Sequence, residues 1–136
     1  MPQFLSYETL RISEEAHDAL VEVLSLLEND KLKHVKMTAV DDVVYSTKAK
    51  FTGHFNMAYV TYQFKCGTAA CIKGTAELLR REWYLFNDRD NRPLYNLFYP
   101  NVEVDYENIT PAQAAFALRS YLEEGYPNWE GALNDA

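Results

Sequence analysis

The sequence contains few of the features that mark membrane, disulfide-rich or disordered proteins. Its 136 residues include only two cysteines, five glycines and five prolines, and no apolar run approaches the roughly 18 residues of a membrane-spanning helix. Hydrophobic residues make up 48% and charged residues 24% of the chain, fractions that are ordinary for a globular protein. A chain of this length can bury a core without disulfides or metal ions. We therefore expect one domain over residues 1–136.

The first residues also lack the pattern of a secretory leader. Residues 1–18 contain no basic segment followed by an apolar one. A cytoplasmic location, with no membrane contact, is therefore the default expectation. In that compartment two cysteines are more often free thiols than a disulfide.

Acidic residues are concentrated at the two ends of the chain, whose net charge is −7. Residues 1–30 contain seven acidic residues and one basic residue, and so do residues 101–136. Residues 31–100 contain six acidic and eleven basic residues. Solvated helix faces can produce this distribution. An acidic surface that meets a basic partner is the alternative interpretation.

Two segments have the pattern of amphipathic helices. Ser13 is a suitable N-cap, and apolar residues follow it at helical spacing, which predicts a helix over residues 14–29. Thr110 is a suitable N-cap for another helix, and Gln113 would complete a capping box with it. Gly125 is expected to end this second helix, because glycine adopts the left-handed backbone that closes a helix.

The middle of the chain is expected to form a third helix and two strands. Thr68 as an N-cap, followed by an apolar seam, predicts a helix that starts near Thr68. The seam consists of Ile72, Ala76, Leu79 and Trp83. Alternating apolar residues predict strands in residues 35–39 and 60–64, with a loop around Gly53 between them. The expected fold class is α+β: a mainly helical single domain, with three principal helices and a small antiparallel β-sheet.

Both cysteines lie in the stretch FKCGTAACIKGTAELL, residues 64–79, which could serve chemistry or structure. Cys66 and Cys71 would supply two ligands to a zinc site, but four are needed and the spacing is wider than in a zinc knuckle. A disulfide between them is disfavoured in a reducing compartment. Cys71 could instead be a nucleophile, because a helix N-terminus lowers the pKa of a thiol and a nearby base completes such a site. The candidate bases are His17, His34 and His54.

The structural alternative accounts for each position of the stretch. Gly67 would turn the chain, Thr68 would cap the helix, and Cys71 would enter the core, as cysteines commonly do. A glycine inside a helix, such as Gly74, costs up to about 1 kcal/mol relative to alanine. Such a residue is kept where another backbone packs closely, so we interpret Gly74 as a packing contact. No cofactor and no metal site are predicted.

Lysines and aromatic residues are interleaved between residues 48 and 65. Together they could form a surface on which nucleic-acid bases stack. The acidic composition of the whole chain opposes the basic footprint of nucleic-acid-binding proteins. Direct nucleic-acid binding is therefore disfavoured, and a nucleic-acid-binding accessory protein is kept as an alternative.

Three segments follow one another in order: FNM at residues 55–57, CGTAACIKGTAELL at 66–79 and ITPAQAAFALRSYLEEGYPNW at 109–129. Together they resemble a group of small uncharacterised bacterial and phage proteins with a Cys-Gly-Thr-x-x-Cys-Ile-x-Gly core and a C-terminal Thr-Pro-x-Gln-Ala-Ala helix. Members of that group often have Trp where this chain has Thr75. The resemblance brings no known activity. It implies the setting of a phage or mobile element, in which small acidic inhibitors of host defences are common.

The function that we expect is that of a non-enzymatic interaction protein, for example an anti-CRISPR-like inhibitor. An acidic surface would occlude a basic groove of a protein partner, such as a nucleic-acid-binding host protein. The candidate binding residues are Glu103, Asp105, Glu107, Glu123 and Glu124. The alternative is a small cysteine-dependent enzyme that uses Cys71 or Cys66.

Overall fold

A computed structural model describes residues 3–36, 43–44, 50–64 and 67–134 of the protein. The helices in this part of the chain are α1 (Tyr7–Leu10), α2 (Glu14–Glu28), α3 (Ile72–Arg80), α4 (Arg92–Phe98), α5 (Pro111–Glu124) and α6 (Trp129–Asn134). A short 3₁₀ turn, Tyr106–Asn108, precedes α5. The strands are β1 (Lys33–His34), β2 (Val43–Val44), β3 (His54–Phe55), β4 (Thr61–Phe64) and β5 (Gly67–Ala70).

The five strands form one mixed sheet with the order β1-β3-β5-β4-β2. β3 is parallel to both β1 and β5, whereas β4 is antiparallel to both β5 and β2. The expected small antiparallel sheet is therefore wrong, since β1, β3 and β5 form a parallel set. Parallel neighbours are joined by long connections, so no local turn signal in the sequence could have shown which strands lie side by side.

Two strands occupy segments for which the sequence predicted other structure. β3 lies beside Gly53, where a loop was expected, and β5 lies where the third helix was expected to begin. Thr68 pairs with Gln63 across the β4–β5 ladder, so it is not a helix cap. The strand predicted at residues 60–64 is confirmed as β4. Of the other predicted strand, residues 37–39 lie outside the described residues.

The expectation of three principal helices is also wrong, because the described residues contain six α-helices. α3 begins at Ile72 with Cys71 as its N-cap and ends at Arg80, so Trp83 lies beyond it. Arg92–Phe98, for which no helix was predicted above, forms the seven-residue helix α4 with Asn91 as its N-cap.

α2 and α5 confirm the predicted helices, because the signals at their ends are local. The Ser13 hydroxyl accepts the N–H of Ala16 at 3.0 Å, which caps α2. The capping box of α5 is complete: Thr110 Oγ1 accepts the N–H of Gln113 at 3.1 Å, and Gln113 Oε1 accepts the N–H of Thr110 at 2.9 Å. Gly125, with a φ of 93°, closes α5 as expected.

The core lies where α2 packs against α3 and α5. α2 contributes a stripe of fully or nearly fully buried apolar side chains: Ala16, Ala19, Leu20, Val23, Leu24 and Leu27. α6 packs against α5, and Trp129 is buried. The Trp129 Nε1–H donates to the carbonyl of Asn96 at 2.9 Å, which ties α6 to α4.

Candidate functional site

Cys71 is a free thiol inside the core, 3% exposed, at the N-cap of α3. Burial raises its pKa to about 11, which outweighs the lowering effect of backbone N–H groups at the start of the helix. The sequence predicted the opposite shift from the helix N-terminus alone. Less than about a thousandth of such a thiol is ionised at neutral pH, so its surroundings oppose a nucleophilic role. Cys66 lies outside the described residues.

The three histidines that were considered as bases are each hydrogen-bonded elsewhere. His17 Nε2 donates to the carbonyl of Leu5 at 2.9 Å, and His34 Nε2 donates to the carbonyl of Glu107 at 2.8 Å. His54 Nδ1 is hydrogen-bonded to the Thr52 hydroxyl at 2.9 Å. Over residues 3–36, 43–44, 50–64 and 67–134, no three His, Cys, Asp or Glu side chains form a group that could hold a metal ion.

Gly74 confirms the packing contact that was predicted for it, although Thr68 does not have the capping role that the same interpretation gave it. A Cβ at this position would overlap the carbonyl oxygen of Val60 and lie 2.6 Å from its carbonyl carbon. The N–H of Cys71 donates to the carbonyl of Tyr59 at 2.9 Å, so two contacts hold the first turn of α3 against the backbone of residues 59–60. These contacts give the Cys-x-x-Gly segment a packing role.

A cleft of about 580 Å³ opens beside α3, over the loop that joins α3 to α4. Most of the residues that line it are charged or aromatic, and the full lining is Val60, Lys73, Glu77, Trp83, Tyr84, Phe86, Asn87, Asp88, Arg89 and Asp90. We call this the α3 cleft. Its size lies within the range of roughly 300–1,000 Å³ that is usual for ligand pockets.

Two charged side chains of α3, Lys73 and Glu77, line the α3 cleft four residues apart. Lys73 Nζ lies 3.4 Å from Asp88 Oδ1 and 6.0 Å from the centre of the Phe98 ring. Burial alone lowers the pKa of Lys73, but the charges of Asp88, Tyr99 and Glu77 and a hydrogen bond to Asp88 together outweigh it, so the pKa is raised and Lys73 is charged. Glu77 is 5% exposed, and desolvation raises its pKa although Lys73 and the N–H of Tyr84 favour the carboxylate.

The rim of the α3 cleft carries two large aromatic side chains that the fold leaves in solvent. Trp83 is 47% exposed and Tyr84 is 96% exposed. Arg81 caps α3 with a left-handed φ of 52°, and Tyr84 is also left-handed, with a φ of 68°. The loop is anchored below by Phe86, whose buried ring meets Phe98 edge-on at 4.9 Å between centroids.

Two further depressions follow the α3 cleft. The first, of about 500 Å³, shares Arg89 and Asp90 with the cleft and is also lined by Arg92 and Tyr95. The second, of about 370 Å³, shares Arg92 with the first depression and is also lined by Tyr126. We call this series of three depressions the groove.

The five candidate acidic residues do not form one patch. Glu103, Asp105 and Glu107 precede α5, whereas Glu123 and Glu124 lie at its end, so its 14 residues separate the groups by about 20 Å. Asp105 Oδ1 accepts the N–H of Glu107 at 3.2 Å, and Glu123 is paired with Arg119 at 2.9 Å. Glu103, Asp105 and Glu124 are exposed, and Glu107 and Glu123 are half-buried.

A second acidic surface was missed because it combines α2 with a residue that follows α3. Glu15, Asp18 and Glu22 form an exposed row on α2. Glu82, which follows α3, lies close to Glu15 at the beginning of α2. The charge of Glu15 raises the pKa of Glu82, because the two carboxylates approach each other. Arg80 neutralises one end of the row through Glu22, 3.4 Å away. We call these four acids the α2 face; it adjoins Trp83 through Glu82.

Comparisons with protein-family models, with curated proteins and with solved structures each gave no match to this chain. The resemblance to small phage and bacterial proteins therefore stays a prediction. None of the helices among the described residues is both long and apolar enough to cross a membrane.

Proposed function

We propose that the protein is a non-enzymatic interaction protein that binds a basic partner protein through the rim of the α3 cleft and the adjoining α2 face. The observation that carries this proposal is Tyr84. A bulky residue in the left-handed backbone region costs on the order of 1 kcal/mol or more. The Tyr84 ring is 96% exposed and so gains almost no burial within the fold in return.

Exposed aromatic residues are well suited to protein recognition. Tryptophan and tyrosine are over-represented among the few residues that dominate binding energy at interfaces, because they bury much apolar area at low entropic cost. Trp83 and Tyr84 are adjacent and held by two left-handed residues, Arg81 and Tyr84 itself, so the loop is preorganised. Preorganisation lowers the cost of binding.

The charge of the α2 face favours a basic partner. Two carboxylates in proximity, such as those of Glu15 and Glu82, repel each other, and a cationic surface would relieve that repulsion. A protein that normally binds nucleic acid offers such a surface. In the setting that the resemblance implies, occlusion of that surface would inhibit a host defence protein.

The chemistry of Cys71 supports binding over cysteine-dependent catalysis. The thiol is buried and its pKa is raised to about 11, so it is neither accessible nor ionised at neutral pH. Lys73, the nearest cation on α3, is engaged with Asp88.

The proposal is tested by comparing partners captured from host lysate by the wild-type protein, by Tyr84→Ala and by Phe116→Ala. Phe116 is the matched control, because it is another exposed aromatic residue, 42% exposed, on α5. A genuine partner is basic, is retained by Phe116→Ala, and binds Tyr84→Ala at least about tenfold more weakly in calorimetry with the purified protein. Partners that bind Tyr84→Ala and wild-type protein equally would contradict the proposal.

Charge reversal separates the two acidic surfaces. Glu15→Lys and Glu82→Lys alter the α2 face, whereas Glu103→Lys and Asp105→Lys alter the surface before α5. We expect the first pair to weaken partner binding more than the second, and the loss to shrink as salt is raised, because exposed charges are screened. A larger effect of the second pair would place the interface at the acids selected from the sequence.

A further inference from the structure

We infer that the α3 cleft is the receptor for an arginine side chain of the partner, with the guanidinium held between the Glu77 carboxylate and the aromatic rim of Trp83 and Tyr84. This inference rests on the proposed function, since it names the group that the interaction surface would recognise. It is carried by the side chains that meet in the cleft.

The lining of the α3 cleft carries one net negative charge. Its carboxylates are Glu77, Asp88 and Asp90, and its cations are Lys73 and Arg89. Lys73 is positioned by Asp88, which it approaches to 3.4 Å. Glu77 accepts the backbone N–H of Tyr84 and is poorly hydrated, so a further cation would stabilise its charged form.

The aromatic side chains make the cleft suited to a planar cation. A guanidinium packs over an aromatic face and donates two parallel hydrogen bonds to a carboxylate, whereas a compact ammonium cannot match this planar, two-pronged geometry. Trp83, Tyr84 and Phe86 line the same cleft as Glu77. Arginine is therefore favoured over lysine.

The protein uses the same combination of groups within its own fold. Arg119 donates from Nε and Nη2 to both oxygens of Glu28, each at 2.7 Å, and its guanidinium lies 5.7 Å from the centre of the Phe4 ring. That internal site pairs a carboxylate with an aromatic ring around one arginine. The α3 cleft offers both elements in an open position.

The dimensions of the groove fit a side chain that is part of a longer segment. A cleft of about 580 Å³ is larger than one arginine side chain, and it continues past Arg89 and Asp90 toward Tyr95. The flanking backbone of the partner would run along this continuation.

The test is a titration of the ¹⁵N-labelled protein with N-acetyl-arginine amide, followed by NMR. N-acetyl-citrulline amide is the matched control, because it has nearly the same shape without the charge. We expect saturable shifts at residues 73–77 and 83–90, and about tenfold weaker binding of the citrulline compound. Absence of binding, equal binding of both compounds, or shifts confined to another surface would overturn the inference.

Two variants show whether Glu77 is the acceptor. Glu77→Gln removes the charge and keeps an oxygen for the N–H of Tyr84. Glu8→Gln removes one exposed charge outside both the cleft and the α2 face and serves as its control. We expect Glu77→Gln to weaken arginine binding about tenfold and Glu8→Gln to change it less than about twofold, and circular dichroism should show that both variants are folded. Equal losses in the two variants would show a diffuse charge effect and contradict the inference.

The same variants distinguish the two proposals. If Tyr84→Ala weakens binding of the partner and Glu77→Gln does not, the interaction surface stands and the arginine receptor is wrong. If the arginine compound binds in a Glu77-dependent manner but no partner is lost with Tyr84→Ala, the cleft stands and the proposed function is wrong.

Discussion

Arg119 and Glu28 form a bidentate ion pair that joins α5 to α2, with both N–O distances at 2.7 Å. Arg119 is the only basic residue among residues 101–136, and it also reaches Glu123 at 2.9 Å. The pairing raises the pKa of Arg119 further above its ordinary value. One cation thus allows two acidic helices to pack against each other.

Loss of this pair should weaken the α2–α5 interface. In a double-mutant cycle with Arg119→Gln and Glu28→Gln, we expect a coupling free energy of about 1 kcal/mol, because the pair is partly exposed but bidentate. Urea unfolding at low salt measures it, and a repeat at about 1 M salt should reduce it through screening. Strictly additive effects of the two substitutions would contradict the role of the pair.

Gly74→Ala should destabilise the protein although alanine is the better helix former. The new methyl group would enter the space of the Val60 carbonyl, and we expect a loss of about 2–3 kcal/mol in the free energy of unfolding. Gly131→Ala on α6 is the control, because there the methyl group meets only the side chain of Asn128, which can shift without backbone movement at the cost of the hydrogen bond that it accepts from the N–H of Gly131. Urea unfolding measures the free energy of unfolding of both variants. An unchanged free energy of unfolding in Gly74→Ala would contradict the packing role of Gly74.

The Cys71 thiol should make stability fall in alkaline solution. Burial raises its pKa from 9.0 to about 11, so the folded state holds its proton more tightly than the unfolded state. The resulting stabilisation is complete below about pH 9 and is lost as pH rises from about 9 to 11, by roughly 3 kcal/mol. Cys71→Ser, which keeps a capping oxygen and does not titrate in this range, should show a smaller loss.

This measurement is made in a Cys66→Ser background so that only one thiol titrates. The free energy of unfolding is measured for the Cys66→Ser protein and for the Cys66→Ser, Cys71→Ser double variant. Both are measured near neutral pH and again near about pH 11. The difference between the two proteins removes the contribution of the tyrosines. Rapid modification of Cys71 by a disulfide reagent in the native protein at neutral pH would contradict its burial.

Tyr84→Gly should increase stability while it removes binding. Glycine adopts a left-handed φ without steric cost, and the tyrosine ring contributes almost no burial, so we expect a gain of about 1 kcal/mol. Tyr126→Gly is the control, since Tyr126 is exposed but is not left-handed, and glycine there should destabilise. A loss of stability in Tyr84→Gly would show that the ring serves the fold.

Glu77→Gln should likewise stabilise the protein at neutral pH. The pKa of Glu77 is raised by desolvation, so its contribution to stability is present below the unfolded pKa of about 4.5 and is lost as pH rises through the folded value. A neutral glutamine avoids that loss. Thermal unfolding near neutral pH and near the unfolded pKa should show the variant gaining mainly at neutral pH; a gain that does not depend on pH would contradict this account.

The sequence predicted the two helices whose ends are marked by nearby residues. Ser13 and Ala16, or Thr110 and Gln113, are three residues apart, so the hydrogen bonds that start these helices can be inferred from local spacing. The packing role of Gly74 was also predictable, because a glycine inside a helix needs a reason outside that helix.

The sheet and the start of α3 could not be predicted in the same way. Gly67–Ala70 has small side chains and no alternation, and its strand structure depends on pairing with β3 and β4 on either side. Once that segment is a strand, the cap of α3 moves to Cys71. The α3 cleft was also missed, because Glu77 and Trp83 line it together only through the conformation of the loop after α3. No periodic pattern in the sequence predicts that conformation.

The separation of α2 and α5 along the chain has a consequence during synthesis. Glu28 and Arg119 are 91 positions apart, so the apolar stripe of α2 is made well before the helix that covers it. At ordinary translation rates the apolar stripe of α2 stays exposed for on the order of ten seconds before α5 has been synthesised. Chaperones that recognise apolar helices should therefore engage nascent chains that end before α5 and release them once α5 has emerged from the ribosome.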